Sequence, residues 1–316
     1  LCTILANTPL GPGDEVLITD LEYLSRLNEL ERVSATTGCK VVKAEIPFPI
    51  GDAEVVVERV LGAVTERTRL VFVSHITSAS SLVFPVTRIV RELNERGIDV
   101  VVDGAHSAGQ VPVDIAGLRP TYFVGSGHKW LSAPKGTGFL WVRPDKQPGF
   151  RPVALSSRAN KVRHDRALFL RDFDYMGTDD YTGVLAIADA VEFLGGLMEG
   201  GWPALMRRNH DLALHGRAII CRALGIAEPA PASMIGTMAS IPIPDCPPAL
   251  KMRATRYDDA LQDALLERHN IVAPIWRMGP DEMRIVRISA QLYNTAGDYE
   301  KLAEALLTEL ARERGA

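Results

Sequence analysis

The chain has 316 residues, of which 47% are hydrophobic and 23% charged, a composition typical of a folded globular protein and not of a disordered chain. A formal net charge of −4 without a dominant basic stretch argues against nucleic-acid binding, and no segment is long and apolar enough to span a bilayer. Because the four cysteines form no CxxC pair, we expect no metal site and a reduced, cytoplasmic protein without membrane or nucleic-acid partners.

The first half of the chain alternates between apolar strand-like runs and helical spacing. Residues 1–6 resemble the end of a helix, so we expect the N-terminal part of a large domain to precede Leu1. Helical periodicity is found at 53–64 and 85–96. The predicted strands are 15–19, 40–44, 69–74, 98–103, 121–125 and 138–142. This alternation predicts an α/β fold with a mostly parallel central sheet and helices on both faces.

The later part of the chain follows a different pattern. Long helices are predicted at 181–197 and 202–224, and six prolines then interrupt the segment between residues 229 and 248. The remaining predicted elements are strands at 235–243 and 283–289 and helices at 257–269 and 298–314. We therefore expect a large domain over residues 1–200 and a smaller α+β C-terminal domain over residues 201–316.

An acid and a lysine follow two successive predicted strands. Asp103 ends one strand, and Lys129 comes after the next, so both are expected at the sheet edge where open α/β folds bind ligands. Alone, a strand-end aspartate is usually a cap and a loop lysine is usually solvated. Together they suit pyridoxal 5′-phosphate (PLP), whose aldehyde forms a Schiff base with a lysine and whose protonated pyridine nitrogen pairs with a carboxylate.

Three short motifs carry a family resemblance over essentially the whole chain. The segments VDGAH at 102–106, SGHKWL at 126–131 and PKGTG at 134–138 resemble the signature of class V aminotransferase-fold PLP enzymes. Within that family the chain is most similar to isopenicillin N epimerase and its relatives. The resemblance implies a fold type I PLP-transferase, in which the large domain binds the cofactor and its phosphate-binding turn would lie before Leu1.

The resemblance also implies a role for each matching position. Lys129 matches the Schiff-base lysine, Asp103 the partner of the pyridine nitrogen, and Arg287 the residue that binds the substrate carboxylate. The other cofactor-binding matches are Tyr23 (ring stacking), Thr77 with Ser78 as the alternative (ring oxygen), His106 (ring oxygen or imine), Ser126 and His128 (phosphate), and Thr178 (phosphate of a neighbouring subunit). A contact from Thr178 across subunits implies a homodimer with a shared active site. Ordinary structural roles are the alternatives for Tyr23, His106 and Arg287, and ordinary loop polarity is the alternative for Ser126 and His128.

The implied function is chemistry at the α-carbon of an amino-acid substrate, as in isopenicillin N epimerase. Lys129 would exchange partners with the substrate and then act as the base at the α-carbon. The alternatives are a class V C–S lyase or cysteine desulfurase, an aminotransferase, and a non-catalytic scaffold. A desulfurase needs a nucleophilic cysteine on a mobile loop. Cys246 stands in a stiff proline-rich segment, so an ordinary loop cysteine is the better interpretation.

Overall fold

Six short strands form one sheet in the computed structural model, which describes residues 1–161, 164–279 and 281–315. The strands are β1 (Glu15–Thr19), β2 (Lys40–Ala44), β3 (Thr68–Ser74), β4 (Asp99–Gly104), β5 (Tyr122–Ser126) and β6 (Gly138–Val142). Their order in the sheet is β2-β1-β3-β4-β5-β6; β1 to β5 run parallel, and β6 pairs antiparallel with β5. The central strands β1, β3 and β4 are buried over nearly their whole length, as expected of a sheet covered on both faces.

The helices that accompany this sheet follow the alternation seen in the sequence. They are α1 (Cys2–Ala6), α2 (Leu24–Thr37), α3 (Glu54–Gly62), α4 (Val86–Glu95), α5 (Ile115–Leu118), α6 (Leu168–Asp174) and α7 (Thr182–Gly196). In α4 the buried residues Val86, Ile89, Val90 and Leu93 repeat at helical spacing, and α4 packs against β4. The prediction of an α/β fold with a mostly parallel central sheet flanked by helices is confirmed.

A second, smaller sheet is built from the later part of the chain. Its strands are β7 (Met238–Pro242), β8 (Ile275–Met278) and β9 (Met283–Ser289), in the antiparallel order β7-β9-β8. Its helices are α8 (Gly201–Leu224), α9 (Pro248–Lys251), α10 (Ala260–His269) and α11 (Ala296–Arg314). A capping box between Thr295 and Asp298 begins α11, which packs along α8.

One fully buried arginine links three elements around this smaller sheet. Arg284 on β9 bonds Asp259, the N-cap of α10, at 2.5 Å and 2.9 Å, and Glu313 on α11 at 2.8 Å and 2.9 Å. Burial opposes the charge of Arg284, but the hydrogen bonds of the two carboxylates outweigh it and raise its pKa above the ordinary value. Since each charge is paired and hydrogen-bonded, the cluster is costly to break.

The chain divides into two compact units, each assembled from several segments. The first contains residues 1–44, 57–75 and 85–194, and the second contains residues 45–56, 76–84 and 195–316. A domain boundary at residue 200 stays a prediction. Among the residues that the structure describes, no helix combines the length and the apolar character needed to cross a membrane.

Candidate active site

Asp103 lies at the carboxyl end of β4 and is almost fully buried. Its Oδ1 accepts a hydrogen bond from the Ala105 amide at 2.9 Å, and its Oδ2 accepts one from Arg26 Nε at 3.2 Å. Arg26 is on the first turn of α2, the helix that follows β1. The carboxylate is thus held in place by its own loop and by a neighbouring helix, and the two oxygens retain lone pairs for a further donor.

A second carboxyl group, Glu22, is buried close to Asp103. Its Oε1 accepts hydrogen bonds from the Thr19 hydroxyl and the Ser74 amide, both at 2.9 Å, and its Oε2 contacts the Ser74 hydroxyl. Ser74 on β3 is the register partner of Asp103 on β4. Burial, reinforced by the charge of Asp103, raises the pKa of Glu22 to about 7. Two neighbouring acids therefore differ in environment, with Glu22 favouring its neutral form.

Replacing Glu22 by glutamine is expected to stabilise the protein progressively as pH rises. The folded pKa of about 7 lies above the ordinary 4.5, so the stabilising contribution of Glu22 is complete below about pH 4.5 and is lost as pH rises to about 7. Glutamine mimics the protonated acid, so the difference in unfolding free energy between variant and wild type should grow by up to about 3 kcal/mol across this window. Urea unfolding at several pH values measures it, and a pH-independent difference would contradict a buried neutral Glu22.

Lys129 lies in the loop that joins β5 to β6, in contact with the loop after β4. Lys129 Nζ is 3.0 Å from His106 Nε2, and Trp130 Nε1 donates to His106 Nδ1 at 3.3 Å. At Gly109 the backbone has φ +92°, and an added Cβ would lie 2.7 Å from the Trp130 carbonyl oxygen. Only glycine fits both conditions, so the loop after β4 can approach Trp130 closely. The predicted lysine and histidine are thereby brought into direct contact.

The residues proposed to hold a phosphate flank this lysine. Ser126 is the last residue of β5, and His128 is exposed, with its Nδ1 2.8 Å from the Thr137 carbonyl oxygen. Because that carbonyl can only accept, Nδ1 carries a proton. The Gly127 amide donates to the same Thr137 oxygen at 3.0 Å, which fixes the base of the loop. His128 thus directly precedes Lys129 in the loop, and Ser126 lies three residues before the lysine, at the end of β5.

Two other predicted contacts lie in the first unit but outside this cluster. Tyr23 is exposed and forms the N-cap of α2, three residues before Arg26. Thr178 is exposed on the segment between α6 and α7, where its hydroxyl is 3.3 Å from the Tyr175 hydroxyl. The proposed contact of Thr178 with a neighbouring subunit stays a prediction.

Thr77 and Arg287 belong to the second unit. The Thr77 hydroxyl is fully buried and engaged in a turn, 2.6 Å from Ser80 Oγ and accepting from the Leu82 amide at 2.8 Å. Its neighbour Ser78 was the alternative for the cofactor ring oxygen. The local bonds of Thr77 give it an evident structural role, and its cofactor role stays a prediction.

Arg287, on β9, is a half-buried cation stacked on an aromatic ring. Its guanidinium carbon is 4.2 Å from the Trp276 ring centre, Nη1 donates to the Ser78 carbonyl at 2.8 Å, and Nε has no hydrogen-bond partner within the described residues. Burial lowers the pKa of Arg287 to about 10, which still leaves it charged at neutral pH. No ion pair joins it to a carboxylate of the described part of the chain. With Ser289 and Asn294, it lines a pocket of about 810 Å³.

These residues fit PLP chemically. In the first unit, a lysine amine, a buried carboxylate at a strand end, and hydroxyl and imidazole donors are the groups that an aldehyde, a pyridinium and a phosphate require. In the second unit, the half-buried guanidinium of Arg287 suits a substrate carboxylate. Among the described residues, no cluster of acidic, histidine or cysteine side chains could hold a metal ion. The sequence analysis did not predict Glu22, Arg26 or Trp130 as residues of the site. Of the three, Trp130 lies within the SGHKWL motif at 126–131.

Comparison with known proteins places these motifs in context. The family Aminotransferase class-V matches residues 2–302. An isopenicillin N epimerase from Amycolatopsis lactamdurans is 34% identical over 94% of this chain and 74% of its own length. A putative L-cysteine desulfhydrase from Oryza sativa subsp. japonica is 28% identical over 93% of this chain but only 64% of its own length. The apo structure of a cysteine desulfurase from Thermococcus onnurineus NA1 has the same fold, with a TM-score of 0.75, 21% identity, and coverage of 99% of this chain and 77% of that one.

Proposed function

This chain belongs to the aminotransferase class-V family of PLP-dependent enzymes, and from that premise we propose that it removes and returns a proton at the α-carbon of an amino-acid substrate. The observation that carries the proposal is the contact of Lys129 Nζ with His106 Nε2 at 3.0 Å, in the loop that follows the buried Asp103. The epimerase similarity, at 34% identity, supports proton transfer as the reaction. The whole activity is proposed because the chain spans only part of these relatives.

Each residue of the site has a defined task in this proposal. Lys129 would carry PLP and Asp103 would pair with its ring nitrogen, and the bound group would supply an electron sink for chemistry at the substrate α-carbon. The Lys129 amine takes the α-proton, and Ser126 and His128 hold the phosphate. Inversion needs a proton donor on the face of the substrate opposite Lys129, and Tyr23 is the candidate because His106 contacts the lysine itself.

Arg287 is assigned to the substrate carboxylate because a guanidinium fork matches that group in shape and charge. Arg287→Lys should lower kcat/KM for amino acids by about ten- to a hundredfold, the value of one charge-assisted hydrogen bond. Steady-state kinetics with amino acids and with the corresponding amines measures this, since the amines lack the carboxylate and should lose little. Arg277→Lys is the matched control on β8, because Arg277 already pairs with Asp245 at 2.7 Å. Equal losses for acids and amines would contradict the assignment.

C–S bond cleavage is the second candidate, favoured by the similarity to a desulfhydrase. A desulfurase that carries sulfur on its own cysteine has less support. Cys246 is 7% exposed, and its Sγ is 3.2 Å from Arg277 Nη2. A buried thiol lacks the access to substrate that sulfur transfer requires.

A homodimer is proposed on the strength of an apolar helix surface. Val184, Leu185 and Phe193 on α7 are each more than half exposed, directly after the segment of Thr178. A second copy of the chain would cover this face and bring Thr178 to the neighbouring site. Sedimentation of the full-length protein as a monomer at micromolar concentration would refute it.

All four cysteines are free thiols, which agrees with the proposed cytoplasmic location.

The reaction is tested by incubating the full-length protein with PLP and a panel of amino acids in deuterated water. An absorption band near ~420 nm reports the cofactor on a lysine. Exchange of the α-proton, followed by NMR, with change of configuration supports the epimerase. Release of sulfide or keto acid without change of configuration would replace it by a C–S lyase or an aminotransferase, and absence of the band would refute the cofactor assignment.

A further inference from the structure

The contacts of His106 determine which of its ring nitrogens carries the proton. An indole N–H can only donate, so Trp130 Nε1, 3.3 Å from His106 Nδ1, requires an unprotonated Nδ1. A neutral imidazole has one proton, which must then be on Nε2. The imidazolium form is excluded as well, because it would place two N–H groups against each other at Nδ1. His106 therefore presents a donor, Nε2–H, towards Lys129 Nζ at 3.0 Å.

A lysine ammonium cannot accept that hydrogen bond, because it has three donors and no lone pair. The neutral amine can accept it. We propose that Trp130 is a positioning residue which, by fixing the tautomer of His106, keeps the Lys129 amine unprotonated. The inference rests on the proposed function, since the unprotonated amine is the nucleophile that PLP requires.

The structure keeps Trp130 in place for this task. The close approach at Gly109 leaves no room for a side chain between the loop after β4 and the Trp130 carbonyl. Other ionisable groups lie at the same sheet edge: Asp103 on β4, Arg26 on α2, Glu22 before α2, and His128 on the lysine loop. They act alike in the wild type and in a Trp130 variant, so a comparison of the two isolates the indole hydrogen bond.

The test is the pH profile of Lys129 acetylation in full-length protein freed of PLP. Lys129 is exposed, so trace acetic anhydride reaches it, and mass spectrometry quantifies the modified peptide. Trp130→Phe keeps an aromatic side chain but removes the indole N–H that donates to His106. It should lower acetylation at pH 7 by roughly two- to tenfold, the factor a neutral hydrogen bond supplies, with an unchanged plateau at high pH. An identical pH profile in the two proteins overturns the proposal.

A double-mutant comparison separates the tautomer effect from a general structural role. In His106→Phe no ring nitrogen accepts from Trp130 or donates to Lys129, so Trp130→Phe should then change nothing. An equal loss in both backgrounds overturns the proposal in favour of a packing role. If Trp130→Phe does not fold, ¹⁵N NMR of the wild-type histidines decides, because a proton on Nδ1 of His106 is incompatible with it. None of these readouts uses the cofactor, so they stay separate from the test of the proposed function.

Discussion

Lys129→Ala is expected to abolish the absorption band near ~420 nm and to lower turnover by about 10² to 10⁴, the range for loss of a positioned acid–base group. The substitution removes both the amine that carries PLP and the base at the α-carbon. It also removes the partner of His106 Nε2 at 3.0 Å, without creating a cavity, because the side chain is exposed. Spectroscopy with added PLP and α-proton exchange kinetics measure the two effects.

Lys135→Ala is the matched control for that experiment. Lys135 is an exposed lysine of the same loop, so its loss removes an equal charge from the same surface. We expect an unchanged band and near wild-type exchange. A Lys129→Ala protein that keeps the band at full intensity would show that another lysine carries the cofactor.

The largest effect on stability is expected for Arg284→Ala, at about 3–5 kcal/mol. The arginine side chain is fully buried, and its removal leaves the carboxylates of Asp259 and Glu313 without their cation. The loss combines electrostatic repulsion, a cavity and unsatisfied hydrogen bonds, so it far exceeds that of a surface ion pair. Urea unfolding of the full chain measures it as a lower midpoint.

Two variants sharpen the interpretation of that loss. Arg314→Ala removes an exposed arginine near Glu313 on the last turn of α11 and should cost no more than about 0.5 kcal/mol. Adding Asp259→Asn and Glu313→Gln to Arg284→Met should recover much of the stability, because the replacement neutralises all three charges together. If the triple variant were as unstable as Arg284→Ala, packing and not charge would dominate.

The sequence predicted the regular elements of the large sheet because buried strands are continuous apolar runs and buried helix faces repeat apolar residues at helical spacing. Every predicted strand and helix is present, with bounds that agree within three residues. The predictions missed α2, which has only Leu30 and Val33 fully buried and lacks a side-chain cap. They also missed β8, a four-residue strand that contains Arg277. Short or polar elements depend on tertiary packing, which periodicity does not report.

The candidate site was partly foreseeable for a similar reason. Asp103 and Lys129 follow parallel strands, so the sheet itself determines that they share an edge. The environment of Glu22 depends on Ser74, more than fifty residues later, and the task of Trp130 depends on His106. Residue type and local spacing do not reveal such contacts between residues distant in sequence. The hydrogen bonds at the edge of the folded sheet do.

Each of the two compact units is made of several separate stretches of the chain, which has a consequence for recombination of the gene. Within the second unit the Ile50 amide donates to the Pro229 carbonyl, and the Val83 amide donates to the Met234 carbonyl, both at 2.8 Å. A gene fragment encoding only residues 201–316 would lack both donors and leave those carbonyls to solvent or to another chain. A single crossover at residue 200 is therefore expected to yield a second unit without these two hydrogen bonds, which favours recombination that keeps residues 45–56 and 76–84 with residues 195–316.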